Sequence, residues 1–181
     1  MNAPVMLYAD EKERFSPTNA TDHTSVPLQH ERTEPFNGAA AATLAYLAAT
    51  PLLIGALGLV AREDWSEILV SGLMASYGAA LIIFFAGVRW GVAVMKPGGP
   101  SMRSLGGAAL PFVLALPLLM PFDPLVRIPC IMVAMVALLI DDMATTRRGD
   151  GAPAWYLAVR LPLTVLVEVA FAIALAASFA A

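Results

Sequence analysis

The sequence has few of the residues from which catalytic and metal sites are built. Its 181 residues include one cysteine, Cys130, and two histidines, His23 and His30, both outside the apolar segments. A single thiol excludes an intramolecular disulfide and cannot supply the ligands of a typical zinc or haem site. Without histidine, the apolar segments offer no Ser–His pair for nucleophilic catalysis. We therefore expect no cofactor, no metal and no enzymatic activity.

Charged residues are also scarce, at 14% of the chain, whereas an average soluble protein has about 25%. Hydrophobic residues make up 59%, and the mean hydropathy is +0.72. The net charge of −3 arises within residues 1–38, which carry three Lys and Arg against six Asp and Glu. No basic face is available for nucleic acid. The composition predicts a membrane protein without a nucleic-acid partner.

Residues 1–38 form a polar N-terminal segment with four prolines and many acidic residues. Such a segment buries too little apolar surface to offset its chain entropy, which predicts a mostly disordered tail. An alternative is that the short apolar run Val5–Tyr8 folds as a helix on a partner. The segment lacks the basic start and the cleavage site of a secretory signal.

Five apolar segments follow and predict an all-α fold, a bundle of five transmembrane helices. A membrane span needs about 20 apolar residues, and the third and fourth segments are shorter. Pro121 and Pro124 lie between those two and would break a continuous helix, which favours a helical hairpin. A re-entrant pair that returns to the same side is the alternative. The predicted helices are 39–61, 68–88, 105–120, 125–140 and 161–181.

Lysine and arginine are distributed unequally between the two sides of this topology. With five crossings, one side carries nine of them, and the other side has only Arg62 and Arg127. The positive-inside rule then predicts a cytoplasmic N-terminus and a C-terminus on the opposite side. Aromatic side chains at the predicted boundaries fit interfacial belts; they are Trp65, Trp90, Trp155 and Tyr156.

Charges of both signs converge at the predicted cytoplasmic boundary. Asp141 and Asp142 close the fourth segment, where carboxylates are unfavourable near the negative helix end unless cations accompany them. Arg89 and Arg160 lie at the ends of neighbouring segments, so we expect them to pair with these aspartates. A site for an anionic substrate is the alternative use of the same groups.

Glu168 is the one acidic residue deep within an apolar segment. A carboxylate at that depth must be protonated, hydrogen-bonded or paired. One interpretation is a structural contact with Ser76 or Tyr77 in the second segment, or with a partner chain. The other is a proton relay or ion site, although a single acid without further acids or histidines makes a poor pump.

Small residues recur at four-residue spacing in the second and fifth segments. Because residues i and i+4 share a helix face, each set predicts a flat strip that lets another backbone approach closely. The strip either packs within the protein's own bundle or docks another membrane subunit. The sets are Gly72, Ser76 and Ala80; Gly87 and Gly91; and Ala170, Ala174 and Ser178.

Two motifs resemble a small five-helix membrane family of unknown function. They are Phe85–Gly91, which reads Phe-Ala-Gly-Val-Arg-Trp-Gly, and Pro153–Leu157 with Arg160–Thr164. This family has bacterial members and a mitochondrial inner-membrane transmembrane protein, and the resemblance covers about residues 40–180. It implies five spans in an energy-transducing membrane, here a bacterial inner membrane, and supplies no activity, cofactor or catalytic residue.

Together these features predict a non-enzymatic accessory subunit or assembly factor of a larger membrane complex. Its expected partners are membrane lipid and other integral membrane subunits, with the N-terminal segment available to a cytoplasmic partner. A small transporter or proton-conducting protein built around Glu168 is the alternative, and an enzyme acting on lipids ranks last. The candidate structural or partner-contact residues are Gly87, Arg89, Trp90, Gly91, Asp141, Asp142, Trp155, Tyr156, Arg160 and Glu168.

Overall fold

The structure is a computed structural model that describes residues 38–61 and 66–180. All regular secondary structure in these residues is helical. Each of the five helical segments is long and apolar enough to cross a membrane, which confirms the predicted fold and identifies a membrane protein. The helices are α1 (Gly38–Ala61), α2 (Glu67–Val94), α3 (Met102–Ala115, followed by a 3₁₀ turn at Pro117–Leu119), α4 (Pro124–Arg147) and α5 (Ala154–Phe179).

The predictions for the polar segment before Gly38 fall outside the described residues, as do those for Arg62 and Trp65. Within the described residues, several predicted helix ends are wrong. Helices α2 and α4 continue six and seven residues further, and α5 begins seven residues earlier. The apolar segments end at their first charges, whereas the helices continue because those charges pair inside the bundle. Helix α3 begins earlier because Ser101 and Ser104 form a capping box.

Helices that follow one another along the chain run in opposite directions. The Tyr77 hydroxyl of α2 donates to the Ala48 carbonyl of α1, and a Cβ at Gly55 of α1 would meet Met74, which makes α1 and α2 antiparallel. Helices α2 and α4 are parallel, because α4 meets α2 both near its start and near its end. Helix α5 is antiparallel to both. The first residue of α1 and the last of α5 therefore lie at opposite ends of the bundle.

Helix α2 is the centre of the bundle and contacts each of the other four helices, while α1 packs along α5. Helix α3 packs mainly on α2 and barely touches α4, although the link Met120–Asp123 between them is short. The predicted break between the third and fourth segments is confirmed. Their packing as a hairpin is not, because α3 is held by α2.

Small residues line the helix contacts, in a partly different register from the predicted one. Ala170 and Ala174 of α5 are fully buried, which confirms packing within the bundle for that strip. On α2 the buried strip is Ser71, Ala75 and Ala79, one position before the predicted one. The most closely packed glycine of α2 is Gly78, where a Cβ would lie 2.5 Å from Phe171 Cζ and 2.9 Å from Ile131 Cγ2.

Candidate functional site

The four charged residues predicted to pair do meet at one end of the bundle. Arg89 of α2 donates a hydrogen bond from Nη2 to Asp141 Oδ2 of α4, and its Nε lies 3.5 Å from Asp142 Oδ1. Arg160 of α5 donates from Nε to Asp142 Oδ2 at 3.4 Å. The predicted pairing is confirmed. These four side chains are called the ion-pair cluster below.

The ion-pair cluster lies five or six residues inside the ends of its helices. Part of it is fully buried. Arg160 is 1% exposed, and its guanidinium carbon lies 3.2 Å from the centre of the Phe85 ring. Its Nη1 also donates to Thr164 Oγ1, one turn along α5, at 3.1 Å. The ring face and the hydroxyl replace part of the water that the guanidinium loses. Its Nη2 is buried without a hydrogen-bond partner.

Two arginines and two aspartates make the ion-pair cluster neutral and connect three helices. Asp142 interacts with both arginines, so its carboxylate joins α2, α4 and α5 at one point. Desolvating these charges is costly, and their mutual attraction offsets that cost only while every partner is present. The cluster therefore connects three helices, and its charged groups are engaged with one another.

A cavity of about 470 Å³ opens beside the ion-pair cluster, between the end of α2, the start of α3 and the α4–α5 link. Its walls combine cations, hydroxyl groups and a few small apolar side chains from α2, such as Val88 and Val92. Lys96 Nζ lies 3.4 Å from Asp150 Oδ1, and Arg89 is paired with Asp141 and Asp142. We call this the basic cavity; its charged lining residues are Arg89, Lys96, Arg103, Asp141, Arg148 and Asp150.

The three predicted aromatic residues near this end have different environments. Tyr156 lines the basic cavity, and its hydroxyl oxygen is buried and makes no hydrogen bond. Trp155 and Trp90 are both 47% exposed on the outside of the bundle. Trp155 packs edge-on against Tyr156, with ring centres 6.5 Å apart. Exposed tryptophans at one end of apolar helices are typical of a membrane interface.

Glu168 lies midway along α5, and its predicted structural contacts on α2 do not form. Ser76 accepts a hydrogen bond from Arg127, and the Tyr77 hydroxyl is occupied by the Ala48 carbonyl. One oxygen of Glu168, Oε1, is buried and has no hydrogen-bond partner within the described chain. The interpretation as a contact with Ser76 or Tyr77 is therefore wrong, and the alternative contact with a partner chain stays a prediction.

A second buried arginine was missed by the sequence reasoning. Arg127, near the start of α4, is 2% exposed. Its Nε donates to the Leu118 carbonyl at 3.0 Å and its Nη2 donates to Ser76 Oγ at 2.9 Å. Its guanidinium also lies 5.6 Å from the centre of the Phe122 ring. The available signal was an arginine inside an apolar segment.

Gly87 and Gly91 face away from the bundle. A Cβ built on either glycine meets nothing within 4 Å. Large apolar side chains lie on the same outer face of α2, among them Phe84, which is 61% exposed. The two glycines therefore form a shallow strip that the described residues of this chain leave uncovered. We call it the glycine strip.

No group of three or more metal-ligating side chains occurs in the described residues. A family of proteins of unknown function, DUF3429, matches residues 38–176. The chain belongs to this family. The match confirms the predicted resemblance to a membrane family without an assigned function. No curated protein and no solved structure matches the chain significantly.

The DUF3429 match begins with α1 and ends three residues before the end of α5. It therefore spans the ion-pair cluster, the basic cavity and the glycine strip, and leaves out the polar N-terminal segment. The candidate site belongs to the part of the chain that defines the family.

Proposed function

We propose that this chain is a non-enzymatic accessory subunit or assembly factor of a larger membrane protein complex. The observation that carries the proposal is the uncovered glycine strip on α2. A glycine within a helix costs about 1 kcal/mol relative to alanine. Lipid chains do not need such a close approach, whereas a packed helix from another protein does. Gly87 and Gly91 suit a partner's backbone rather than lipid.

The ion-pair cluster supports the same role, because its charged groups are already engaged with one another. Its acids and bases neutralise one another across three helices. These pairs connect α2 to α4 and α5, and the outer face of α2 with its glycine strip is available to a neighbouring subunit. The cytoplasmic N-terminal segment provides a second region for a partner.

We further propose a bacterial inner membrane, with the start of α1 on the cytoplasmic side. The resemblance to a family of energy-transducing membranes supports the choice of membrane. The positive-inside rule supports the orientation. Of the described lysines and arginines, only Arg127 lies at the other end of the bundle; the start of α1 shares its end with Arg89, Lys96, Arg103, Arg147, Arg148 and Arg160.

The test is migration of the tagged full chain on a native gel, after gentle detergent extraction from its own membrane. We expect it within a larger complex of fixed stoichiometry. Gly87→Leu should release it as a single chain of 19.1 kDa, because the added side chain separates the two backbones. Gly106→Leu, at an open position on α3, is the matched control and should leave the complex intact. Migration of the parent as a lone chain would refute the proposal.

A second candidate, a proton-conducting or transport protein, is favoured by one observation. Glu168 keeps a buried carboxyl oxygen without a partner, and intramembrane acids are functional candidates by default. The test is proton flux in liposomes that contain the purified chain. Glu168→Gln should abolish the flux, while Glu67→Gln, at the exposed start of α2, should not. Absence of flux in the parent, or equal flux in both variants, excludes this candidate.

A further inference from the structure

The basic cavity carries more positive charge than its own acids neutralise. Arg89 and Lys96 have aspartate partners. Arg103 and Arg148 also line the cavity, and neither has an acidic partner within 4.0 Å among the described residues. Two guanidinium groups thus face one concave space without a counter-ion. Guanidinium is the side-chain group best matched to the oxygens of a phosphate.

The first turn of α3 adds backbone donors at the same cavity. The start of α3 lies in its wall, where Ser101 caps the helix and the first amides have no acceptor within the helix. Tyr156 lies in another wall. The two arginines and the helix start together describe a receptor for an oxyanion.

The position of the cavity indicates where that oxyanion comes from. Trp90 and Trp155 lie on the outside of the bundle at the same end, one residue from Arg89 and Tyr156. Tryptophans concentrate at the depth of lipid headgroups. Val88 and Val92 add an apolar wall on α2, which a free phosphate does not need and a lipid does. A volume of about 470 Å³ suits a headgroup and its glycerol.

We propose that the basic cavity binds the phosphate of an anionic phospholipid headgroup. Arg103 and Arg148 hold the phosphate oxygens, and the lipid's glycerol lies along Val88 and Val92. Basic pockets between membrane helices on the cytoplasmic side bind anionic headgroups in this way. The inference stands apart from the accessory role proposed above, since it does not use the glycine strip.

The test is native mass spectrometry of the full chain, purified in non-ionic detergent and titrated with lipid. Phosphatidylglycerol should bind with a stoichiometry of one. Phosphatidylcholine should bind at least about ten-fold more weakly, because its headgroup has no net negative charge for the arginines to attract. The double variant Arg103→Gln/Arg148→Gln should weaken phosphatidylglycerol binding by about ten-fold or more.

Arg147→Gln is the matched control, because Arg147 is exposed and adjacent to Arg148 but does not line the cavity. It should change the affinity less than about two-fold, as expected for an exposed, solvated charge outside the cavity. An equal loss with Arg147→Gln and the double variant would indicate general surface attraction and overturn the proposal. Equal binding of the two lipids would overturn it as well.

Inorganic phosphate is titrated separately to distinguish the two sources of the phosphate group. We expect that millimolar inorganic phosphate does not displace phosphatidylglycerol, because it gains nothing from the apolar wall. Displacement that depends on Arg103 and Arg148 would assign the cavity to a soluble phosphate compound and overturn the lipid assignment. Both arginines are exposed and unpaired, so an unchanged melting temperature should confirm that the double variant is folded.

Discussion

Arg160 of α5 and Asp142 of α4 form an ion pair inside the bundle, with Nε and Oδ2 3.4 Å apart and side chains 0% and 6% exposed. Asp142 also lies 3.5 Å from Arg89 of α2, so it is the acid that both arginines share. Asp141 beside it is half exposed and serves Arg89 alone. Of these two adjacent aspartates of α4, Asp142 should therefore contribute much more to stability than Asp141.

Asp142→Asn should strongly destabilise the protein. The substitution leaves the Arg160 guanidinium buried without a counter-ion, and breaking a buried pair in this way costs roughly 3–5 kcal/mol. The measurement is the free energy of unfolding in mixed detergent micelles, titrated with sodium dodecyl sulfate and followed by circular dichroism.

Asp141→Asn is the control for the loss of a negative charge at the end of α4. Its partner Arg89 keeps Asp142, and exposed pairs contribute up to about 1 kcal/mol. Similar losses for the two variants would contradict the assignment of Asp142 as the shared acid.

Gly78→Ala should destabilise the bundle by about 1–3 kcal/mol, the usual cost of overpacking a filled core. The new methyl group would lie 2.5 Å from Phe171 Cζ, and Phe171 is fully buried, so its ring has no space to move into. Gly72→Ala, on the same helix, meets nothing within 4 Å and should be neutral or slightly stabilising. Melting temperatures in one detergent compare the two. A larger loss for Gly72→Ala would contradict the packing described here.

The number of helices and the partners of the main charges followed from the sequence, because long apolar segments and neutralised charges are both required in lipid. The limits of the helices did not. An apolar segment ends at its first charge, whereas a helix ends where its backbone hydrogen bonds stop. Arg160 is buried six residues inside α5 because Asp142 and Phe85 come from other helices. The sequence around Arg160 does not show which side chains of other helices will surround it.

The register of the small-residue strips was also beyond local reasoning. Helix α2 carries two adjacent sets at four-residue spacing, one beginning at Ser71 and one at Gly72. Which set is buried depends on how the other helices pack on α2, and the buried set is the one that begins at Ser71. Arg127 was missed for a related reason: its partners are a serine hydroxyl and a carbonyl, and neither is a charged residue that a sequence search pairs with arginine.

Arg127 and Ser76 should show a measurable coupling energy. A double-mutant cycle with Arg127→Met, Ser76→Ala and both together isolates the hydrogen bond at 2.9 Å between α4 and α2. Hydrogen bonds to charged groups contribute roughly 1.5–3 kcal/mol, so we expect a coupling in that range. The cycle is measured by the same unfolding titration. A coupling below about 0.5 kcal/mol, the scatter expected for independent sites, would show that the contact is not stabilising.

The orientation in the membrane can be read from cysteines placed at the two ends of the bundle. Cys130 is the one native cysteine and is exposed, so Cys130→Ala provides a background without thiols at little cost. Pro100→Cys then marks the link between α2 and α3 at the basic end, and Phe122→Cys marks the link between α3 and α4 at the opposite end. Both positions are exposed.

Phe122→Cys should react with a membrane-impermeant maleimide added to intact spheroplasts, and Pro100→Cys should react only after the membrane is opened. The reason is that the arginines around Pro100 are retained on the cytoplasmic side during insertion. The fraction labelled is measured by the mass shift of the chain on a gel. Labelling of Pro100→Cys alone in intact spheroplasts would show that the orientation is opposite to the one proposed. The basic cavity would then face the periplasm, and the N-terminal segment could not reach a cytoplasmic partner.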